Sequence, residues 1–292
     1  MLEYSGPIIV IAGPTASGKS SIAMKLAREI NGVIINADSK QVYKEISIGT
    51  ARPTKKEMED IPHHLFGHTS LKNGYNIFQY QKDVENVLKN LKNNEIPILV
   101  GGSGLYIDSV LFKYSLIDNE VDPVKRRKLG KMGITELQHL IPTAILNSLN
   151  ESDSKNPVRL IRTIEKLDSK REKKRDRPLN HIYFVIDQPK EILDKNIEQR
   201  VQKMFQNGLE EENKRIRKLG LQKYLSTKTI GYQEFDGYFE GEKSIERVKE
   251  EIINHTKQYA KRQKTWFRKH KHAKWSNDYN YILEQSLKFI NT

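Results

Sequence analysis

Residues 13–20 read Gly-Pro-Thr-Ala-Ser-Gly-Lys-Ser and fit the pattern GxxxxGK[ST]. Gly13 and Gly18 let the backbone wrap an anion, and the successive N–H groups and the following helix N-terminus point at it. Lys19 adds a point charge, and Ser20 can hold Mg²⁺. The run sits where a phosphate loop must sit, after an apolar stretch and at the start of a helical one, so an ordinary glycine turn is a poor alternative. Whose phosphates it binds is not written in the loop. Asp38, in Asn36-Ala37-Asp38-Ser39, falls at the end of a second apolar run, which puts its carboxylate at the carboxyl edge of a sheet beside that loop. Three roles suit it: Mg²⁺ ligand, general base toward a nucleophile in line with the bound phosphates, or helix N-cap.

The elements that must position these groups follow from hydrophobic periodicity. Short apolar runs predict strands over Ile8–Ala12, Gly32–Asn36, His64–His68 and Pro97–Val100. Amphipathic runs predict helices from Lys19 to Asn31, from Ile77 to Asn93 and from near Leu105. After about Leu116 the pattern changes to short, strongly charged helical pieces, until residues 181–186 restore a buried strand. The class expected is therefore α/β: a phosphate-loop NTPase-like parallel sheet flanked by helices, with a helical insertion domain. The core would take 1–116 and 181–292, and the insertion 117–180. Ile192, Leu193, Ile197, Val201, Met204, Phe205 and Leu209 recur at helical spacing with Gly208 near a break, and a last long helix is expected from Ser244 to Lys271. The charged run 170–177 reads as a solvated loop or helix end.

Lys plus Arg number 50 against 37 Asp plus Glu, a net charge of +13 in 292 residues, which favours a polyanionic partner. From Ile252 through Asn277 there are eight Lys or Arg and no acidic residue, interleaved with Tyr259, Trp266, Phe267 and Trp275, so the excess is local and suits an RNA backbone. Trp266 is assigned to packing. The absence of cysteine excludes disulfides and thiolate zinc sites and fits a reducing compartment. No leader pattern and no apolar run of spanning length is present, so a cytoplasmic protein without a membrane anchor is expected.

Asp38-Ser39-Lys40-Gln41-Val42-Tyr43, Ile48-Gly49-Thr50-Ala51-Arg52-Pro53-Thr54 and Pro62-His63-His64-Leu65 together resemble the tRNA dimethylallyltransferase family. So do Val100-Gly101-Gly102-Ser103-Gly104-Leu105-Tyr106, the run 159–165, Ile230-Gly231-Tyr232 and the run 259–268, which extends the resemblance over nearly the whole chain. The resemblance implies a loop that grips the diphosphate of dimethylallyl diphosphate, with Mg²⁺ as cofactor. The acceptor would be the N6 amine of adenosine 37 in the tRNA anticodon loop. By motif, Asp38 becomes the catalytic base, with Lys19 and Thr15 also catalytic. Gly13, Pro14, Thr15, Ala16, Ser17, Gly18, Lys19, Ser20 and Gln233 would contact the donor. Asp38, Ser39, Lys40, Gln41, Ser103, Arg126, Val158, Arg159, Leu160, Ile161, Arg162, Lys261 and Arg262 would contact tRNA, and a monomer is expected.

Four positions depart from the family pattern. Gln233 stands where a Lys or Arg that helps hold the diphosphate is usual, with Arg52 or Lys228 as substitute cations by proximity in sequence. Ser103 replaces a Thr but keeps the hydroxyl. Pro157-Val158 replace an acidic residue and a Gln, and Gly67 replaces an Asp. The chemistry agrees with the resemblance: an allylic diphosphate ionises readily, so its enzyme must stabilise departing charge and position a nucleophile. A flipped-out adenine could reach such a cleft. Three rivals stay open. A small-molecule kinase leaves the basic segment unexplained, an isopentenyltransferase acting on free adenylate needs no RNA surface, and a noncatalytic RNA-binding module would not need Lys19, Ser20 and Asp38.

Overall fold

The computed structural model describes residues 4–58, 60–112, 122–167, 178–225 and 229–292. Two compact units form, one from Met1–Lys113 with Asp176–Thr292 and the other from Tyr114–Arg175. The charged run 170–177 and Lys228 lie outside the described residues.

In the larger unit, β1 (Ile8–Ala12) leads through the glycine loop into α1 (Lys19–Glu29), and β2 (Gly32–Asn36) follows. Next come the single turn α2 (Lys55–Met58), β3 (His63–His64), α3 (Ile77–Lys89), β4 (Ile96–Gly101) and α4 (Gly104–Leu111). The strands pair in parallel in the order β3-β2-β4-β1, continued beyond β1 by β5 (His181–Val185) and β6 (Lys274–Trp275). This is the expected parallel sheet flanked by helices. Strand β3 is only two residues long, shorter than the run His64–His68 predicts, and β6 has no counterpart in the apolar pattern.

Alternation explains why the central strands read as unbroken apolar runs. Ile8, Val10 and Ala12 pack with Tyr80, Val84, Ile107 and Tyr183 on one face, while Ile9 and Ile11 pack with Ala23, Leu26 and Phe184 on the other. The register sets Ala12 against both Gly101 and Val185, and Asn36 against Val100, so the carboxyl ends of four strands open at one edge. Both the glycine loop and Asp38 leave from that edge.

The smaller unit is helical among its described residues: α5 (Pro123–Leu129), α6 (Ile134–His139), α7 (Thr143–Ser148), α8 (Glu151–Ser154) and α9 (Pro157–Leu167). Its core is built from Leu129, Leu137, Ile141, Leu160, Ile161 and Ile164. After β5 the larger unit continues with α10 (Lys190–Gln206) and α11 (Leu209–Lys218), broken at Gly208 by a left-handed φ of 92° that glycine tolerates. The 23-residue α12 (Ile245–Phe267) packs along α10. The final α13 (Tyr279–Ile290) covers the face opposite α3, where Tyr279 donates to Glu29 Oε1 at 2.6 Å.

Candidate active site

The loop after β1 is built as its sequence demands. Ala16 and Gly18 take left-handed φ values of 62° and 90°, and Ile22 N–H donates to Gly18 O at 3.2 Å as the first turn of α1 closes. Lys19 Nζ folds back on the loop and donates to Pro14 O at 3.2 Å. Burial, and secondarily the Arg200 cation, pull the Lys19 amine down to about 8, against an upward contribution from Asp38. The Ser17 hydroxyl is buried at the back of the loop with no hydrogen-bond partner.

A residue distant in sequence holds this loop in place. Gln263 of α12 accepts from Thr15 N–H at 2.8 Å and donates to Gly102 O at 2.9 Å, so one buried amide ties the phosphate loop to the loop after β4. The fit excludes side chains: a Cβ on Gly102 would lie 2.1 Å from Gln263 Nε2, and one on Gly101 would lie 2.1 Å from Ala37 O. The Gly101-Gly102-Ser103 block is thus a packing requirement, and Ser103 Oγ accepts from Ser39 N–H at 3.0 Å. Asp38 itself is fixed by the fully buried Asn36, whose Oδ1 accepts from Asp38 N–H at 2.9 Å and whose Nδ2 donates to Leu65 O at 3.0 Å. The Asp38 carboxylate accepts from Lys40 N–H at 2.8 Å in a local turn, and no helix follows, so the N-cap alternative fails.

These groups surround a cavity of about 300 Å³. Its polar side holds Thr15, Lys19, Ser20, Asp38, Ser39, Lys40 and Gln41, with Tyr259, Arg262 and Gln263 from α12. Its other side is apolar, formed by Val201, Met204, Ile230 and Ile252. Burial and the nearby Asp38 push the Tyr259 phenol above its ordinary range, so it serves as a neutral wall. The cavity therefore suits a molecule with a phosphate head and a short apolar tail, and the Asp38 carboxylate lines the same cavity.

Arg200 of α10 joins the site without belonging to any of the motifs. It lines the cavity with Lys19 and donates from Nη2 to Thr50 O at 3.1 Å, which adds a second fixed cation where a phosphate would sit. Its one sequence signal is its position beside Val201 and four residues before Met204, on the cavity side of a charge-rich helix. Gln233 is placed differently from expectation. In a short 3₁₀ turn its Nε2 donates to Glu234 Oε1 at 2.8 Å and lies 3.3 Å from His255 Nδ1, and Gln233 is not among the cavity residues. Arg52 donates to Tyr43 O at 2.6 Å and passes over Gly67, where a Cβ would lie 2.2 Å from Nη1, so the glycine there makes room for the guanidinium. Arg52 does not line this cavity but an adjoining one that shares Lys19, Ser20 and Arg200 with it.

Of the residues expected to touch tRNA in the smaller unit, Val158, Arg159 and Arg162 are exposed, and Arg159 pairs with Asp153. Leu160 and Ile161 turn inward as core, because helical periodicity gives the exposed face to their neighbours. Arg126 pairs with Glu165 at 3.4 Å. On α12, Lys261 and Arg262 are exposed and Trp266 packs as expected, its Nε1 donating to Asp108 Oδ2 at 3.0 Å.

Among the described residues no cluster of three or more His, Asp or Glu could cage a metal. The Ser20 hydroxyl and Asp38 carboxylate in one cavity fit Mg²⁺ nonetheless, because that ion commonly takes one or two protein oxygens and completes its shell with phosphate and water. No described helix is long and apolar enough to cross a membrane.

The IPP transferase family model matches residues 41–270. A tRNA dimethylallyltransferase of Staphylococcus aureus (strain MRSA252) is 34% identical, covering 98% of this chain and 97% of its own. One of Carboxydothermus hydrogenoformans is 33% identical, covering 99% and 97%. Among solved structures, the tRNA isopentenylpyrophosphate transferase of Bacillus halodurans superposes with a TM-score of 0.73 at 28% identity, covering 98% of this chain and 96% of that one. A eukaryotic dimethylallyltransferase captured acting on tRNA gives 0.74 at 25%, covering 90% and 70%.

Proposed function

The chain belongs to the IPP transferase family, and from that membership we propose that it transfers a dimethylallyl group from dimethylallyl diphosphate to the N6 amine of adenosine 37 in tRNA, releasing diphosphate. One observation carries the reading: a single cavity joins the phosphate loop, Lys19 and Arg200 to an apolar wall, with Asp38 on the same lining. The apolar wall formed by Val201, Met204, Ile230 and Ile252 suits a five-carbon prenyl tail.

The diphosphate sits against the loop amides, Lys19 and Arg200, and the five-carbon tail against the apolar wall. The C1–O bond breaks, its electron pair leaves with the diphosphate, and the fixed cations stabilise that charge as it develops. The adenine N6 attacks C1 and forms the new C–N bond. Asp38 takes the proton that the amine must lose, because a ring-delocalised amine is a poor nucleophile while it keeps both protons. Mg²⁺, held by the Ser20 hydroxyl, would add positive charge at the leaving group and leave the Asp38 carboxylate free as the base. Exposed Arg159 and Arg162 on α9, and Lys261 and Arg262 on α12, supply cations for the RNA backbone. A tRNA acceptor is consistent with a cytoplasmic enzyme.

The test is incubation with labelled dimethylallyl diphosphate and either tRNA or AMP, followed by nucleoside analysis. Label at N6 of adenosine 37 is the expected result. Label in AMP alone would assign the chain to free-nucleotide chemistry, and no label in either would overturn the donor.

A further inference from the structure

Two loops contribute to the lining of the cavity. One carries Gly49, Thr50 and Ala51, and the other Thr229 and Ile230. Neither is part of a strand or a long helix, so something outside the cavity must fix them. A single carboxylate does so. Glu212 of α11 is buried at 5% exposure, and its two oxygens accept from Ser47 N–H at 2.9 Å, Ser47 Oγ at 3.0 Å, Ile48 N–H at 3.1 Å, Gly49 N–H at 3.1 Å and Tyr232 Oη at 2.6 Å. Five donors converge on one acceptor-only group, and no neutral side chain can take all of them.

The same interactions bind the two loops to each other. Tyr232 stacks so closely on Gly49 that a Cβ there would lie 2.7 Å from its ring, and Gly231 approaches the Gly49 backbone. Asn213, next to Glu212, donates to Gly231 O at 3.0 Å, while Glu234 accepts from Gly231 N–H at 2.8 Å. The clamp reaches the cavity through Thr50. Its carbonyl accepts from Arg200 Nη2 at 3.1 Å and from Gln41 Nε2 at 3.0 Å, so the position of the 47–50 turn sets where the Arg200 guanidinium stands.

We infer that Glu212 is a positioning residue for the donor's diphosphate, acting through the 47–50 turn and the Thr50 carbonyl to hold Arg200 beside Lys19. The inference rests on reading this cavity as the donor site. Glu212→Gln keeps the volume but turns an NH₂ toward at least one N–H or O–H donor, which displaces the turn. Donor Kd and KM then rise about tenfold, the scale of a single charge-assisted hydrogen bond between Arg200 and the diphosphate. At saturating donor kcat falls as well, because Arg200 also stabilises the charge that develops on the leaving diphosphate, while tRNA Kd stays within about threefold of wild type. Tyr232→Phe, which removes one of the five donors and retains the ring, moves donor KM in the same direction by less.

The experiment is calorimetric titration of wild type, Glu212→Gln and Tyr232→Phe with dimethylallyl diphosphate without tRNA, alongside steady-state KM and kcat and the thermal midpoint of each variant. Wild type that fails to bind donor sinks the reading of the cavity itself. Wild type that binds, with both variants binding equally well, overturns the positioning role alone, as does a lowered midpoint with unchanged donor Kd. If Glu212→Gln does not fold, Tyr232→Phe and Ser47→Ala carry the test, and unchanged donor Kd in both refutes it.

Discussion

With the donor's diphosphate on the phosphate loop, as proposed, the loop's lysine is expected to make donor binding depend on pH in a range where few lysines titrate. Burial and Arg200 depress the Lys19 amine from 10.5 to about 8 in the empty site. That depression corresponds to about 3 kcal/mol of penalty on the charged form. An arriving diphosphate reverses the balance and raises the amine, so binding is linked to a proton. Affinity is complete below the pKa of the empty site and falls as pH rises through about 8 toward the higher value of the complex. With Kd scaling as 1 + 10^(pH − pKa), donor affinity drops about tenfold between pH 7 and pH 9. The comparison variant is Lys19→Arg, whose guanidinium stays charged throughout. It binds donor less well if its geometry suffers, but its Kd is flat over the same range. Titrating both proteins with dimethylallyl diphosphate at half-unit intervals decides it. Equal slopes for wild type and Lys19→Arg would show that the donor or some other group titrates, and that the Lys19 amine is not poised near 8.

Asp38→Asn binds donor and tRNA within about twofold of wild type but loses about 10²–10⁴ in single-turnover rate, and a near-normal rate refutes the general base. Gln233→Arg leaves donor KM unchanged, because the side chain there faces Glu234 and His255 and Arg200 already supplies the cation; a KM several-fold lower would show that position 233 reaches the diphosphate. Gln263→Leu orphans Thr15 N–H and Gly102 O and costs about 1–3 kcal/mol in urea unfolding, with weaker donor binding; an unmoved midpoint rules out the bridge. Neutralising Lys261 and Arg262 flattens the salt dependence of tRNA binding, whereas Lys257→Gln changes it less because Glu198 already pairs with Lys257 at 2.7 Å; equal effects would misplace the RNA surface.

The parts of the site legible in the sequence are those in which backbone and function coincide. The phosphate loop announces itself because its glycines answer a backbone need and the apolar runs beside it are unbroken, which is also why β1 and β2 fall on the predicted residues. Asp38 is legible as a group at a strand end, although the turn and the buried Asn36 that fix it are not. Arg200, Gln263 and Glu212 escape for a common reason. Each is a polar residue within a charge-rich helix that tertiary packing turns inward, and only Arg200 carries even a faint local mark, its place beside Val201 and four residues before Met204. Gln233 misleads because adjacency to Gly231-Tyr232 says nothing about which way a 3₁₀ turn presents its side chains. The two-residue β6 carries too little apolar sequence to be seen.

The bridge from Gln263 to Thr15 also orders events in the life of the chain. A ribosome makes the phosphate loop well before its lock, because the amide that pins it belongs to a residue made 248 positions later. The sheet core itself closes on β5, whose His181–Val185 pair with Ile8–Ala12 from far along the chain. A growing polypeptide thus carries its anion-gripping loop for most of synthesis without the lock that shapes it for substrate. Termination anywhere before α12 yields a fragment that lacks the finished pocket, so α12 acts as a completion signal: only a chain translated through Gln263 acquires a working catalytic centre.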